Sequence, residues 1–405
     1  RHTRLIGLVG SEMCIRDSSN IAMMVNGVPM NDMEWGGVYW SNWAGLSDVA
    51  RSIQTQRGLG ASKVSAPSVG GTINIVTRNL DAKKGGFLSY GMGNDGMNKI
   101  LFSVSSGITK NGWAFTLMGG KNWGNGYIQG TAFEGYNWFA SISKRINEEH
   151  QLTLTAFGAP QWHDQRNSSY GGLTIADWKM VETVYGVKDH KYNPTFGYRS
   201  NGESYNSYRN SYHKPLISLN HQWQINSKSS LSTSLYVSLG RGSGFSGQGN
   251  TEFSPYSYTS WRGAYKGTLY DTFRRSDGTF DYAAIEEINR TSEYGSALIA
   301  ARSNNSHDWY GLLSTYTTKI GQYLDFYGGI DYRFYKGVHR NEISDLFGGT
   351  YYLDSERGNV DVKNNIHAAD PNWRYQKLGV GDVVFRDYDG FVMQEGGFFQ
   401  LEYNK

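Results

Sequence analysis

The chain has 405 residues, and its 39 basic and 36 acidic side chains leave a net charge of +3, too balanced to give an electrostatic footprint for nucleic acid. Its 51 glycines are nearly twice average usage but its 7 prolines are few, and 15% of the residues are aromatic; this is neither a collagenous nor a disordered composition. A mean hydropathy of −0.54, with no run of about 18 apolar residues, excludes helical membrane spans and leaves a membrane β-barrel open, because barrel strands alternate lipid-facing and lumen-facing residues.

In chain order, Arg1 to Ser18 comes first and fits nothing that follows. Its apolar piece, Leu5 to Val9, is too short for a signal peptide, and no small-residue cleavage site follows it. GLVGSEMCIRDS is similar to translated adapter or vector sequence, so residues 1–18 are expected to be non-native. The single cysteine, Cys14, falls inside this stretch, and one cysteine makes neither an internal disulfide nor a cysteine zinc site. Ile21 to Val25 then reads as a strand, and Asn26-Gly27 is the strongest two-residue turn signal. A Trp- and Gly-rich loop runs from Asn31 to Gly45. Ser47 and Asp48 are suited to cap a short helix through Ala50 to Ile53, while Gln54 to Gln56 and Thr72 to Thr77 read as strands.

Ten strands with period-two alternation follow, at 86–93, 98–107, 112–121, 135–146, 150–158, 212–225, 229–240, 307–319, 322–336 and 391–404. In the seventh, Leu231, Leu235, Val237 and Leu239 share one face, and Ser230, Ser232, Ser234, Tyr236 and Ser238 share the other. In the ninth, Ile330, Tyr332 and Phe334 oppose Asp331 and Arg333. The charged face must look into water, since Arg or Lys at the lipid midplane costs about 2–4 kcal/mol. Connector length alternates too. Short turns at Thr109–Asn111, Asn147–Glu149, Asn226–Lys228 and around Gly321 alternate with long connectors such as Ala159–Ser211, Arg241–Ser306 and Gly337–Gly390. Outer-membrane barrels segregate loop length in this way, with the long loops outside the cell.

No catalytic constellation emerges. Gly91 to Gly96 and Gly242 to Gly247 both satisfy a dinucleotide-type glycine pattern, but neither opens a helix within a βαβ unit, so both read as glycine-rich loop tips. The histidines from His150 to His367 show no metal-ligand spacing, and the adjacent His163 and Asp164 alone do not complete a coordination sphere. No enzyme, no metal site and no cofactor is expected. Tyr198, Tyr205, Tyr208, Tyr212, Tyr256, Tyr258, Trp261 and Tyr265 in the two longest loops admit either a sugar- or chelate-binding role or membership of an interfacial girdle.

NIAMMVNGVPMND, followed by LSDVARSIQTQRGLGASKVSAPSVGGTINIVTR, resembles the C-terminal half of the plug domain of TonB-dependent outer-membrane receptors. The resemblance rests on Asn26-Gly27-Val28-Pro29, Arg57-Gly58, Ser62, Gly70-Gly71 and Ile73 to Thr77 in their order and spacing; Leu59 stands where Pro is usual, and Gln54 and Gln56 replace a commonly acidic segment. The Tyr-, Trp- and Asn-rich loops are similar to those of Bacteroidetes receptors.

The resemblance implies an all-β fold: a transmembrane antiparallel barrel, incomplete at about ten of twenty-two strands, holding a partial α+β plug. Residues 19–80 would be the C-terminal part of the plug and 81–405 the N-terminal part of the barrel. It implies energised uptake of a scarce solute, such as an iron chelate, vitamin or glycan, across the bacterial outer membrane. The implied partners are outer-membrane lipid, the extracellular solute, and the TonB–ExbB–ExbD complex gripping a segment N-terminal to this sequence; whether a surface lipoprotein lid joins them is left open, and nucleic acid is not among them. Plug segments after the Asn-Gly-Val-Pro strand contribute to the apex under the external loops, which places Glu34, Trp35, Tyr39, Trp40 and Trp43 within reach of a solute; plain packing of these aromatics against the wall is the competing reading. Rival functions are a passive porin or adhesin barrel, which needs no plug, and a secreted β-rich carbohydrate-binding protein.

Overall fold

The computed structural model describes residues 21–39, 42, 46–57, 70–77, 82–166, 173–265, 268–358 and 360–404. The expectations for Arg1 to Ser18, Cys14, Gly58, Ser62, Trp40 and Trp43 lie outside the described residues.

A small four-stranded sheet comes first, from β1 (Ile21–Val25), β2 (Val28–Pro29), β3 (Ala50–Arg57) and β4 (Gly71–Thr77), in the order β2-β1-β4-β3. Asn26 and Gly27 both take positive φ, as the two-residue turn requires, and Val25 pairs with Val28 across it. The turn is tied to β4, where Asn26 Nδ2 donates to Thr77 Oγ1 (2.9 Å) and Thr77 N donates to Asn26 Oδ1 (2.9 Å). The expected helix is displaced. Helix α1 is Leu46–Val49, and the chain from Ala50 is already strand, because Ile53, Thr55 and their neighbours pair antiparallel with β4.

The large sheet is built from β5 (Gly85–Met92), β6 (Asn98–Ser105), β7 (Trp113–Gly124), β8 (Phe133–Arg145), β9 (His150–Gly158) and β10 (Gln161–Asp164), then, after helix α2 (Ile175–Tyr185), β11 (Phe196–Tyr198) and β12 (Ser204–Asn206) in the intervening loop, β13 (Arg209–His213), β14 (Leu216–Gln224) and β15 (Ser229–Gly249). A second long loop carries β16 (Ala264–Tyr265), β17 (Thr268–Leu269), β18 (Phe280–Asp281) and helix α3 (Tyr282–Thr291), before β19 (Leu298–Ile320), β20 (Leu324–Asp345) and β21 (Val383–Tyr403) close the sheet's sequence. All ten expected strands are present and antiparallel to their neighbours. The fifth is β9 itself, with β10 added beyond Pro160, and the sixth is split into β13 and β14 at Pro215, where a residue without an N–H leaves the ladder.

Burial runs opposite to that of a soluble sheet. Leu235 and Leu239 are 51% and 46% exposed, while Ser234, Tyr236 and Ser238 between them are 6%, 4% and 2% exposed. On β20, Ile330 and Tyr332 are exposed; Asp331 and Arg333 are buried and paired with each other. A face that shows Leu, Ile, Phe and Met outward and hides charge is made for lipid. It ends on the long-loop side in outward ion pairs, Lys121–Glu134 (3.0 Å), Arg241–Asp308 (3.0 Å) and Lys336–Asp389 (2.8 Å). No described helix is long and apolar enough to cross a membrane.

Four strands extend far beyond the expected limits. β15, β19, β20 and β21 have 21, 23, 22 and 21 residues, about 70 Å each at ~3.3 Å per residue, although about 9–11 residues suffice to cross a bilayer. The added length has no apolar alternation, because above the lipid the outward face has nothing apolar to meet. Gly242 to Gly247 is therefore strand and not a loop tip, whereas Gly93 to Gly96 does form the tight β5–β6 turn, with Gly96 at φ +70°. The glycines admit a covering segment: Trp261 lies on Gly247, where a β-carbon would come within 2.3 Å of its ring, and its Nε1 donates to Gln248 O (3.0 Å).

That segment belongs to a folded cap with its own core of Trp261, Phe273, Phe280, Tyr282, Ile285, Leu298 and Phe347, against which Tyr205 and Tyr256 pack. Those three of the loop aromatics, Tyr205, Tyr256 and Trp261, thus form neither a girdle nor an open binding surface. Tyr258 stays exposed, and Tyr212 sits in β13.

The small sheet packs on the polar inner face of the large one. Met23, Val25, Val28, Met30, Val38, Leu46, Val49 and Ile75 join Met118, Phe139, Phe157, Leu216, Tyr236, Trp309 and Tyr335 of the wall in one core.

Candidate functional site

The loop after β2 carries the candidate residues, and its shape is set by its own polar side chains. Asn31 Oδ1 accepts from Met23 N (2.8 Å), while its Nδ2 donates to Ile21 O and Gly36 O (both 2.8 Å), so one amide ties the loop to β1. Asp32 Oδ1 accepts from the backbone N–H of Glu34 (2.9 Å) and Trp35 (3.3 Å), the local turn that Asp favours. Gly36, at φ +79°, returns the chain, and Gly37 leaves room for the Trp35 ring, which a β-carbon there would strike at 2.0 Å.

The result is an aromatic pair standing clear of the sheet. Trp35 and Tyr39 have ring centroids 4.8 Å apart at 51° and are 45% and 55% exposed. The Lys214 ammonium, next to the Pro215 break, lies 6.0 Å from the Tyr39 ring. Partial burial, with Asp32 nearby adding to it, raises the Tyr39 hydroxyl pKa, so it stays a protonated donor and acceptor.

Two carboxylates reach the wall, one from this loop and one from α1. Glu34 meets His339 Nε2 of β20 at 2.9 and 3.1 Å, and His339 is itself fixed by Asn305 Oδ1 at Nδ1 (2.8 Å) and by stacking on Tyr388 (4.9 Å). Asp48 of α1 receives Lys99 Nζ of β6 (2.9 and 3.1 Å) and Asn137 Nδ2 of β8 (3.4 Å). Toward the short-turn side, a gap of about 450 Å³ separates the small sheet from the wall. Its lining is mostly neutral hydrogen-bonding groups, among them Gln54, Gln56 and Asn74 on one side and Ser232, Thr315 and Thr317 on the other, with Met24 and Leu313 also facing it.

No protein-family model matches the chain. It is similar to the solved ferric citrate transporter FecA in its unliganded form (16% identity, 96% of this chain and 46% of that one, TM-score 0.55) and to the outer-membrane ferripyoverdine receptor of Pseudomonas aeruginosa (12%, 94% and 43%, TM-score 0.56). It is also similar to the siderophore receptor PiuA of Acinetobacter baumannii (14%, 96% and 47%, TM-score 0.51). The chain has the fold of a TonB-dependent outer-membrane receptor. A curated relative, the vitamin B12 transporter BtuB of Vibrio vulnificus strain CMCP6, is 23% identical over 155 residues, 36% of this chain and 24% of its own. The chain spans less than half the length of these receptors.

Within this receptor fold, the structure brings Glu34, Trp35 and Tyr39 together on one loop and separates their roles: the aromatics are open and Glu34 is held by the wall. His163 and Asp164 are consecutive on β10 and so lie on opposite faces, with Asp164 engaged by Arg209 (2.7 and 2.8 Å); among the described residues no group of three or more His, Cys, Asp or Glu could hold a metal ion. Sequence reasoning missed Asp48, read as a helix cap, and Lys99, His339 and Asn305. The available signal was period two, which puts Lys99 on the inner face with Leu101; nothing local marks its partner.

Proposed function

We propose that this protein is the outer-membrane receptor of an energised uptake system. A scarce solute lands on the exposed aromatic apex of a plug and passes inward when the TonB–ExbB–ExbD complex, acting N-terminal to this sequence, pulls the plug aside. Residues 19–80 are the plug's C-terminal part, 81–405 belong to the barrel, and residues 1–18 are foreign to both. The observation that carries the reading is the small sheet packed on the polar inner face of a lipid-facing wall, with Trp35 and Tyr39 exposed above it. A passive porin has no use for such an insert, and a secreted carbohydrate-binding protein would bury the apolar outer face. The protein acts as a transporter and not as an enzyme. The names of the similar proteins point to ferric citrate, ferripyoverdine and vitamin B12 as the solute range, and glycans, a surface lipoprotein partner and a Bacteroidetes-like origin belong to the same reading.

Trp35 and Tyr39, with Trp40 and Trp43, form the receiving surface, and Glu34 stands beside them. In cells carrying the full-length receptor, labelled iron chelates, cobalamin and oligosaccharides should include one taken up only when TonB is present. Replacing Trp35 and Tyr39 by Ala should weaken its binding by about 1 kcal/mol or more, as loss of aromatic anchors does. Uptake indifferent to TonB would return the protein to the passive porins.

A further inference from the structure

The inner wall is hollowed at one place, and Glu34 fills the hollow. Gly337 of β20 and Gly390 of β21 are direct cross-strand partners. A β-carbon at Gly337 would come within 2.6 Å of Glu34 Oε1, and one at Gly390 within 2.3 Å. Neither glycine has a positive φ, so the backbone does not call for glycine at either position; the space that a side chain would take there is the space the Glu34 carboxylate fills. Two residues along β20, on the same face, His339 supplies the donor that the carboxylate meets, and Asn305 and Tyr388 leave that ring one orientation. The notch removes the steric obstacle, and the imidazole satisfies the charge that enters it.

We propose that Gly337, Gly390 and His339 form a socket for Glu34, and that this socket positions the Asn31–Tyr39 loop and with it the Trp35–Tyr39 pair. Glu34 is then a positioning residue rather than a ligand contact, and a solute that moves the pair works against this attachment. Asn31 links the same loop to β1, so leaving the socket loosens the edge of the small sheet closest to the apex. The Asp48–Lys99 contact on β6 is a separate attachment on a distant strand of the wall. The functional meaning of the socket rests on the reading of Trp35 and Tyr39 as the receiving surface; its existence does not.

The test is amide hydrogen exchange of the full-length receptor in lipid nanodiscs with no solute added. Glu34→Ala and Gly337→Ala should each raise exchange across residues 30–39 by about tenfold, the effect of losing a charge-assisted contact that holds a loop closed. Glu34→Ala combined with Gly337→Ala should be no worse than Glu34→Ala alone, because the added methyl then has no carboxylate to displace. Lys99→Ala should raise exchange at 46–49 and leave 30–39 unchanged. Should Gly337→Ala fail to insert, His339→Leu leaves both glycines intact and should show the same increase at 30–39. Protection at 30–39 unaltered by these variants overturns the socket, as does an equal effect of Gly337→Ala with and without Glu34. Intact uptake in the Trp35 and Tyr39 variants, by contrast, would overturn only the receiving surface.

Discussion

Asn289 shows how much one side chain can organise in the cap. From α3, its Nδ2 donates to the carbonyls of Leu298 (2.7 Å), Leu346 (2.9 Å) and Phe347 (3.1 Å), and its Oδ1 accepts from Ala297 N (2.9 Å) and Leu298 N (3.2 Å). A buried amide so fully used cannot be replaced by a hydrocarbon of the same size without stranding backbone groups, each at a cost of about 1–3 kcal/mol. Asn289→Leu should therefore destabilise the cap by at least about 2 kcal/mol, read as faster proteolysis of the segment from 282 to 298 in the folded receptor. Glu286 gives the corresponding pH effect. Burial would raise its carboxyl, but hydrogen bonds from Ser200 N and Arg199 Nε outweigh this and hold its pKa below the ordinary value. A depressed carboxyl stabilises the fold above its unfolded pKa and loses that contribution as pH falls through the folded value. Cap protection should thus be constant near neutrality and decline below about pH 4.5, and Glu286→Gln should abolish this part of the decline; an unaltered acid profile in that variant would count against the assignment.

Along a strand, the two faces answer to different solvents. Leu235 points to lipid, and Ser232, on the opposite face of the same strand, lines the gap beside the small sheet. Leu235→Arg should cost about 2–4 kcal/mol of bilayer folding stability, whereas Ser232→Arg should fold nearly as well as the parent. Equal losses at the two positions would mean that the lipid-facing assignment of β15 is wrong. Period two marked both faces of this strand directly. Above the lipid the same strand continues as Gly-Arg-Gly-Ser-Gly, and no apolar alternation marks it, although its backbone ladder with β19 runs on and Arg241 pairs with Asp308 across it. Gly247 and Gly249 are small because Trp261 and Ser257 lie on them, contacts that are invisible until the cap has folded.

At the scale of the whole molecule, the large sheet has two ends among the described residues. Of the named strands β5 pairs only with β6, and β21 only with β20; Gly358, Val360 and Asp361 bridge β21 at Phe385 and Asp387, and the rest of both edges presents backbone groups without a strand partner among the described residues. Lipid offers nothing to satisfy them, and an eight-strand lumen is already full of its own side chains, too narrow for the small sheet. This 405-residue chain expressed by itself should therefore aggregate or be degraded. Recovery of a heat-modifiable, protease-resistant monomer from outer membranes would show that the edges find partners within the chain.

Local chemistry was enough to determine several features from the sequence. The Asn26–Gly27 turn needs only two residues able to take positive φ, and the lipid-facing strands need only alternation, so both could be read residue by residue. The loop bearing Glu34, Trp35 and Tyr39 was also recognisable, by its aromatics among glycines. Tertiary structure alone decided what each of those residues does. Asp48 resembles a helix cap in its own neighbourhood and becomes an ion-pair partner only because β6 brings Lys99, 51 residues later, to meet it. Glu34 resembles a ligand contact, and its place beside His339, 305 residues away, depends on the register that sets Gly337 opposite Gly390. Hydrogen bonds and steric notches act over a few ångströms; across such separations in sequence, only the folded wall brings the partners within reach.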